Sequence, residues 1–457
     1  MRAEKTKFIF FTKDTRLYRS FFPLLIVITL QQLASLTVNM VDNVMLGSYT
    51  ELALSGATLV NQIQYTLQQL AAGTGVGIVV LASQYWGKKE TEPIKSIISL
   101  GLKASLLMGI VFFIVSFFMP YQLLGLLTND SLIVEEGVKY LKIICFTYII
   151  FAVSNSLMYS LQSVETAFIG TVMSISTIII NMCLNYCLIF GNFGFPEMGI
   201  KGAAAATLIS RVAELFIILA YVLFIDKKLK MTLKDLTKFD FTYLKDFIST
   251  SSMLVLSGGM WGVAQAAQTA ILGHMTAAAI AANSIAVIIY QIFTVVGSAC
   301  ANATSITIGK IVGEGRFKLI KPYCKTLQAI FVIIGIISAV LIFATKGFII
   351  DFYSISNEAK ALSDQFLTIL GIVSIGSCYQ YPAAFGIVAG GGNTKYPAII
   401  DNLFMWLFTI PFAALSAFVF NFPPVVTFCF LKIDQVLKCI PNAIKVNRYK
   451  WIKVLTR

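Results

Sequence analysis

The sequence predicts an all-α integral membrane protein with about twelve transmembrane helices in two pseudo-symmetric lobes of six helices each. Three observations predict this fold: the apolar composition, the recurrence of long apolar segments, and an internal repeat. Hydrophobic residues form 57% of the 457 residues and charged residues only 12%, whereas soluble domains carry about 25% charged residues. A soluble protein of this length would need a charged surface that this composition cannot provide.

Long apolar segments recur along the whole chain and are separated by short polar stretches. A transmembrane helix needs about 20 mostly apolar residues, and twelve segments meet that criterion. The predicted spans start near Phe21, Ser55, Ile94, Val134, Val164, Met198, Ser249, Ala278, Pro322, Ala359, Tyr396 and Pro423.

The charges of the loops predict the orientation of the chain. Basic residues cluster in both tails and in alternate loops, and the loops between them are acidic or nearly neutral. This positive-inside pattern places both termini in the cytoplasm and the chain in the cell membrane. The net charge of +13 therefore reflects topology, and we expect no nucleic-acid partner. The N-terminal cluster includes Arg2, Lys5, Lys7, Lys13, Arg16 and Arg19, and the acidic loops contain Glu51, Asp130, Glu135, Glu136, Glu197 and Asp351.

An internal repeat relates the two halves of the chain. GSYTELALSGATLV from Gly47 matches GHMTAAAIAANSIA from Gly273, and SQYWGKKE around Gly87 matches GKIVGEGR around Gly313, both at an offset of 226 residues. Parallel repeats are one plan of secondary transporters, which bind substrate at the lobe interface. The predicted parts are a cytoplasmic N-terminal tail (1–19), an N-terminal six-helix lobe (20–225), a cytoplasmic inter-lobe linker (226–247), a C-terminal six-helix lobe (248–442) and a basic cytoplasmic C-terminal tail (443–457).

Asp42 is a lone carboxylate inside the first apolar segment, Phe21 to Gly47. An acid at membrane depth costs about 2.5–3.5 kcal/mol on insertion scales, so a chain that retains one usually uses it. Asp42 therefore indicates a transporter that is driven by a proton or a sodium ion.

Three polar residues on later spans are candidate partners of Asp42. Asn181 and Asn185 are four residues apart and share a helix face, and Thr207 lies on the following span. Together with Asp42 they could surround a small hard cation with oxygen atoms. Alternatively, the asparagines hydrogen-bond to Asp42 and tune its protonation. A third interpretation is interhelical hydrogen bonding that only holds the helices together, worth about 0.6 kcal/mol per contact.

The repeat suggests that the coupling cation binds in the N-terminal lobe. The offset of 226 residues relates Asp42 to Gln268, and Asn39 to Gln265. The second lobe therefore carries neutral amides where the first carries its acid.

A second pair of charges occurs in the sixth span. Arg211 and Glu214 are three residues apart, so they can form an ion pair on one helix. This pair is either structural or a modulator in which Arg211 competes with the cation for Asp42.

The last span also contains charges. Lys432 and Lys438 flank Asp434 near one end of this span. Local pairing, or snorkelling of the lysine ammonium groups toward the membrane surface, accounts for them.

The chain contains no soluble type of catalytic motif. It has no GxxxxGK[ST] sequence for nucleotide phosphates, and the alternating Gly73, Gly75 and Gly77 lie inside an apolar span. Small residues there favour close helix packing. We expect neither enzymatic activity nor a cofactor other than the coupling ion.

Several segments occur in an order that is typical of one transporter family. They are VDNVMLG with Asp42, ASQYWGKKE, NMCLNYCLIFG, GIKGAAAATLISR, ITIGKIVGEGR, GGGNTKYP, and KIDQVLKCIP followed by a basic tail with Trp451. In these segments the chain resembles the multidrug and toxic compound extrusion (MATE) transporters, which are cation-coupled antiporters of amphipathic, often cationic drugs. The resemblance covers about residues 15–457.

The resemblance implies a cation site in the N-terminal lobe at Asp42, Asn181, Asn185 and Thr207. One branch of the family has an aspartate at the position of Asn185, so Asp42 is the sole acid of the cluster in this chain. Some members have a glutamate in the seventh span and some an aspartate in the tenth, where this chain reads LSGGMWG and SCYQYP. The C-terminal lobe lacks both of these acids.

We therefore expect a secondary multidrug efflux transporter that antiports amphipathic or cationic compounds against inward H⁺ or Na⁺ by alternating access. The alternative is a flippase of a lipid-linked saccharide or peptidoglycan precursor, which should show more cationic residues than Arg211 in its cavity. A membrane enzyme or receptor would need a catalytic cluster or an appended soluble domain, and neither appears. The expected partners are small amphipathic substrates and the lipid bilayer, and we expect a monomer.

Overall fold

The computed structural model of the protein describes residues 11–128, 130–238, 240–351 and 356–456. The predicted N-terminal tail lies outside the described residues as far as position 10, which includes Arg2, Lys5 and Lys7, and so does Arg457 of the C-terminal tail. The described residues contain α-helices and helical turns, with no β-strand among them. The predicted all-α class is therefore confirmed.

The α-helices are numbered here in chain order. They are α1 (Thr15–Tyr49), α2 (Glu51–Lys88), α3 (Thr91–Phe118), α4 (Pro120–Gly125), α5 (Ser131–Ile144), α6 (Phe146–Ser163), α7 (Phe168–Phe190), α8 (Ile200–Ala220), α9 (Leu233–Thr237), α10 (Leu244–Gly273), α11 (Ala277–Gly313), α12 (Phe317–Asp351), α13 (Asn357–Tyr381), α14 (Lys395–Phe404), α15 (Ile410–Ala414), α16 (Pro424–Lys432), α17 (Asp434–Leu437) and α18 (Cys439–Arg448). A 3₁₀ turn covers Asn192–Gly194, and π-helical turns cover Tyr221–Ile225, Pro382–Val388, Met405–Thr409 and Leu415–Val419.

Every predicted span corresponds to a helical segment of the structure, and the number of candidate spans is close to the predicted number of about twelve. In the described part of the chain, ten helices are long and apolar enough to cross a membrane, and α5 with α6, bent by 49°, would be an eleventh. The segment predicted to start near Pro423 is divided into the short helices α16, α17 and α18. Ile433 and Lys438 separate these helices, and the backbone at both residues keeps right-handed helical dihedral angles, so the segment follows a helical path from α16 to α18.

The chain divides into two compact units. One contains the described residues between positions 27 and 262, and the other contains the described residues before position 27 and after position 262. We call them the N-terminal unit and the C-terminal unit. The borders fall inside α1 and α10, and the predicted division into tails, lobes and linker stays a prediction.

Glycines allow close helix packing in the N-terminal unit. A Cβ atom on Gly73 of α2 would lie 2.6 Å from the Val255 backbone of α10, and one on Gly75 would lie 2.2 Å from the Tyr159 ring of α6. Helices in a bilayer associate through close packing and polar contacts, because lipid is as apolar as their side chains. The predicted packing role of this glycine run is confirmed.

The segment between the repeats is attached to α3 of the N-terminal unit. Ser99 donates from its hydroxyl to the carbonyl oxygens of Leu236 and Lys238 at 3.2 and 2.9 Å. The Ser96 hydroxyl donates to Asp240 Oδ2 at 2.8 Å. These contacts fix the residues after α9 against one helix.

The C-terminal tail folds back on its own unit. Trp451 is fully buried, and its indole donates to the Val446 carbonyl oxygen at 2.9 Å. The Lys453 backbone N–H donates to the Gly391 carbonyl oxygen at 2.8 Å. A Cβ atom on Gly391 would lie 2.0 Å from the Trp451 ring, so the glycine turn makes room for the tail.

The internal repeat is visible in local structure. Thr50 caps the N-terminus of α2 by accepting from the Ala53 N–H at 3.1 Å, and Thr276 caps α11 by accepting from the Ala279 N–H at 3.0 Å. The two caps are 226 residues apart, which is the offset of the sequence repeat. Each threonine satisfies a helix N–H that would otherwise lack a partner.

Candidate cation-coupling site

Asp42 lies in the last third of α1 and is buried, with 8% of its surface exposed. Asn185 of α7 is fully buried and donates from Nδ2 to Asp42 Oδ1. A buried carboxylate needs donors of this kind, because an unpaired charge away from water is costly.

The two other predicted residues continue the same cluster. Asn185 Nδ2 also donates to Asn181 Oδ1 at 3.1 Å, and Asn181 Nδ2 donates to Thr207 Oγ1 at 3.2 Å. Asn181 and Thr207 also interact with the Asp42 carboxylate. The structure thus brings all four predicted residues together across α1, α7 and α8, while their role in coupling stays a prediction.

The cluster presents oxygen atoms that suit a small hard cation. Asn185 uses both amide hydrogens within the cluster, and its buried Oδ1 has no hydrogen-bond partner among the described residues. One carboxylate with neutral amide and hydroxyl oxygens is the ligand type that hard cations prefer. The residues present therefore fit a sodium ion, and the carboxylate alone can accept a proton.

The charge pair of α8 begins at Arg211, one helical turn after Thr207. Arg211 Nη1 is 2.7 Å from Glu214 Oε2, and both side chains are largely buried. The Thr177 hydroxyl donates to the same oxygen at 3.4 Å, and the guanidinium carbon lies 5.6 Å from the centre of the Phe151 ring. The predicted i,i+3 pairing is present, and its competing role toward Asp42 stays a prediction.

The Arg211–Glu214 pair, with Thr177, lies about one helical turn from the Asp42 cluster along α7 and α8. Thr177 and Asn181 are four residues apart on α7, and Thr207 and Arg211 are four apart on α8, so each pair shares a helix face. Arg211 also attracts Asp42 electrostatically. A fixed cation therefore lies within electrostatic range of the carboxylate.

Tyr140 of α5 is a residue of this region that the sequence did not indicate. It is buried and interacts with Thr207 and with Asp42. Nothing in the sequence distinguishes it from the other tyrosines of the apolar segments, so only the fold reveals it.

The C-terminal unit contains buried charges of its own. Lys438 is 1% exposed and lies 2.6 Å from Asp401 Oδ1 and 2.7 Å from Asp434 Oδ2. Snorkelling does not describe it, because its ammonium is enclosed between two carboxylates. Lys432 donates from Nζ to Gln268 Oε1 at 2.9 Å. The repeat relates Gln268 to Asp42, but nothing in the sequence indicates that Lys432 contacts it.

The MatE family model matches residues 28–187 and 260–415. The chain belongs to the MatE family. MatE proteins are transporters and not an enzyme family, and the helical segments agree with a multi-pass membrane protein of this family. The resemblance expected from the sequence segments is confirmed.

Among curated proteins, this MatE chain is similar to a probable multidrug resistance protein NorM of Listeria monocytogenes serovar 1/2a. The two are 23% identical over 398 residues, 86% of each chain. It is also 23% identical over 442 residues to the probable multidrug resistance protein NorM of Thermotoga maritima, covering 92% of this chain and 90% of that protein.

Solved structures show the same fold. A mutant of the Vibrio cholerae MATE transporter VcmN superposes with a TM-score of 0.87 at 15% identity, over 97% of this chain and 99% of that one. A MOP superfamily transporter from Pyrococcus furiosus superposes with a TM-score of 0.85 at 19% identity, over 96% and 98% of the chains. At these identities the likeness concerns the fold.

Proposed function

We propose that this MatE protein is a secondary active multidrug efflux transporter. It exchanges amphipathic or cationic compounds for inward H⁺ or Na⁺ by alternating access of its two lobes. The observation that carries the proposal is a buried carboxylate, Asp42, which contacts a cluster of neutral amide and hydroxyl groups on membrane helices of a MatE chain. The printed names of the NorM relatives, which describe multidrug resistance proteins, agree with it.

The coupling ion acts by neutralising Asp42. Arg211 is paired with Glu214, so two acids and one base leave the region with one uncompensated negative charge. One proton or one monovalent cation removes that charge. The ion drives transport only if it binds one conformation more tightly than the other. In this proposal the ion affinity depends on the contacts of Asp42 with α7 and α8, and these contacts change when the two helices move.

The two possible ions make different demands on the cluster. A sodium ion takes up several oxygens, and the unpartnered Oδ1 of Asn185 supports this choice. A proton needs only the carboxylate. In either case no other cofactor takes part in the proposal, and the protein acts as a monomer in the cell membrane with both termini in the cytoplasm.

The proposal is tested by ethidium efflux from vesicles that contain the protein, under a separately imposed pH gradient or sodium gradient. We expect efflux under one gradient and its loss in Asp42→Asn, because the variant carries no charge for the ion to neutralise. The matched control is Asp364→Asn, the same change at a half-exposed acid that is paired with Lys346.

Two outcomes would contradict the proposal. Efflux by Asp42→Asn at the wild-type rate would remove Asp42 from coupling. A wild type that is well expressed but moves no dye under either gradient would favour the flippase alternative, which is then tested with a fluorescent lipid-linked sugar.

A further inference from the structure

The two repeats place an acid and an amide at the same structural position. Asp42 and Gln268 each lie eight residues before the threonine that caps the next helix, Thr50 and Thr276. Both side chains are buried, with 8% and 5% of their surface exposed. The repeat therefore equates the carboxylate of the N-terminal unit with a neutral amide in the C-terminal unit.

The groups that face these two positions come from matching helices. Thr207, the seventh residue after the start of α8, interacts with Asp42. Lys432, the eighth residue after the start of α16, donates to Gln268 Oε1 at 2.9 Å. The last segment of each repeat thus supplies a hydroxyl to the acid in one unit and an ammonium to the amide in the other.

The Lys432 ammonium has no ion pair among the described residues. Its contacts are Gln268 and the face of the Phe428 ring, whose centre lies 5.7 Å from Nζ. Asp434 attracts it electrostatically, but that carboxylate is paired with Lys438 at 2.7 Å. Lys432 is therefore a cation held by an amide oxygen and a ring, which are ligands that also serve a mobile cation.

The charges of the two regions differ by one. Around Asp42 there are two acids, Asp42 and Glu214, and one base, Arg211. In the second region Lys432 contacts Gln268 and is attracted by Asp434. Lys438 pairs with both Asp434 and Asp401, so this region contains two acids and two bases. The first region reaches neutrality only when a monovalent cation binds, and the second is neutral without one.

We propose that Lys432 is a tethered cation, which occupies in the C-terminal unit the position that the exchangeable cation takes in the N-terminal unit. Lys432 is thus a specificity-determining residue that closes the second repeat to the coupling ion and limits the transporter to one exchangeable cation per molecule. The consequence for transport rests on the proposed function. The test of the inference measures cation binding alone and does not depend on that function.

The test counts bound cations on the purified full-length protein. Sodium is counted by scintillation proximity with radioactive Na⁺, and protons by uptake from a pH-indicator dye. We expect one cation on the wild type and none on Asp42→Asn. Gln268→Asp should still bind one, because the new carboxylate pairs with Lys432. Gln268→Asp combined with Lys432→Met should bind two, because the carboxylate is then free.

The comparison between Gln268→Asp and the double variant decides the inference. Equal cation numbers on the two folded variants, or two cations on Gln268→Asp alone, would overturn it. One additional cation on the double variant supports it even if the wild type binds none, a result that would instead refute the proposed function. Should the double variant fail to elute as a monodisperse protein, Gln268→Asp with Lys432→Gln replaces it and keeps a polar side chain at the position.

Discussion

Asn185 connects the buried acid with the rest of its cluster. Its two amide hydrogens serve Asp42 and Asn181, and its Oδ1 remains an acceptor without a donor. A buried acceptor that is left unsatisfied costs about 1–3 kcal/mol. This unsatisfied acceptor lies on the residue that contacts Asp42, and it is the observation that favours a cation with several oxygen ligands under the proposed function.

Glu214 is the ion-pair partner of Arg211, which also attracts Asp42 electrostatically. In Glu214→Gln the guanidinium loses its partner at 2.7 Å and is attracted to Asp42 instead. We expect the apparent affinity for the coupling cation to fall about tenfold, equivalent to ~1.4 kcal/mol. The measurement is the initial rate of gradient-driven efflux against cation concentration.

The double variant that removes both members of the ion pair provides the control for this prediction. Glu214→Gln combined with Arg211→Gln removes both charges and should return the affinity toward the wild-type value, because residues that act as a pair are not additive. Wild-type affinity in Glu214→Gln alone would show that the pair is structural only.

At the scale of elements, turns and loops are fixed by a few specific contacts. The tail after α18 depends on the glycine turn that follows α13 and its π-helical turn, and the segment after α9 depends on two serines of α3. Each contact yields one testable consequence.

Gly391→Ala should displace the C-terminal tail, since the new methyl group would meet the Trp451 ring. Overpacking a filled site costs about 1–3 kcal/mol. We expect a lower melting temperature in detergent and a red-shifted tryptophan emission. Gly347→Ala is the matched control, because nothing lies within 4 Å of the added atom. A melting temperature equal to that of the control would contradict the packing described for Trp451.

The attachment of the segment after α9 should weaken in acid. Hydrogen bonds from Thr242, by its side chain and its backbone, and from the Ser96 hydroxyl lower the pKa of Asp240 to about 2, from about 3.9 in an unfolded chain. The folded state therefore binds fewer protons in this window. The stabilisation by Asp240 is complete above about pH 4 and is lost as the pH falls toward 2.

The measurement is hydrogen exchange of residues 236–238 and 240–246 as a function of pH in the wild type and in Asp240→Asn. We expect the wild type to lose protection between about pH 4 and 2, while the variant shows little change across the same window. Parallel curves for the two proteins would indicate that other acids control this segment.

At the scale of the whole molecule, the sequence predicted the order of the helices better than the contacts between them. Apolar length located all twelve segments, and the lone acid with two amides on one helix face indicated the site. Helix periodicity tells which residues share a face, but it does not tell which distant helix that face meets. Asn185 and Asp42 are 143 residues apart, and Lys432 and Gln268 are 164 apart. The lone acid drew attention to the first contact, whereas nothing in the sequence indicated the second, which is visible only in the fold.

The last segment was the least predictable for the same reason. Its apolar composition indicated one span, and Lys438 was expected to pair locally or to reach toward the membrane surface. Asp401, 37 residues earlier, joins the pair and buries the lysine. A third charge supplied by a distant helix cannot be read from the spacing within one segment.

Under the proposed function, the neutralisation of Asp42 by one monovalent cation has an energetic consequence for the cell. An exchanger that admits one monovalent cation for each singly charged drug moves no net charge across the membrane. Membrane voltage then neither aids nor opposes the export of such a drug, and the concentration ratio of the cation alone limits the drug ratio that can be reached. A neutral drug would gain the voltage as an additional driving force, since each exchange would then carry one positive charge inward.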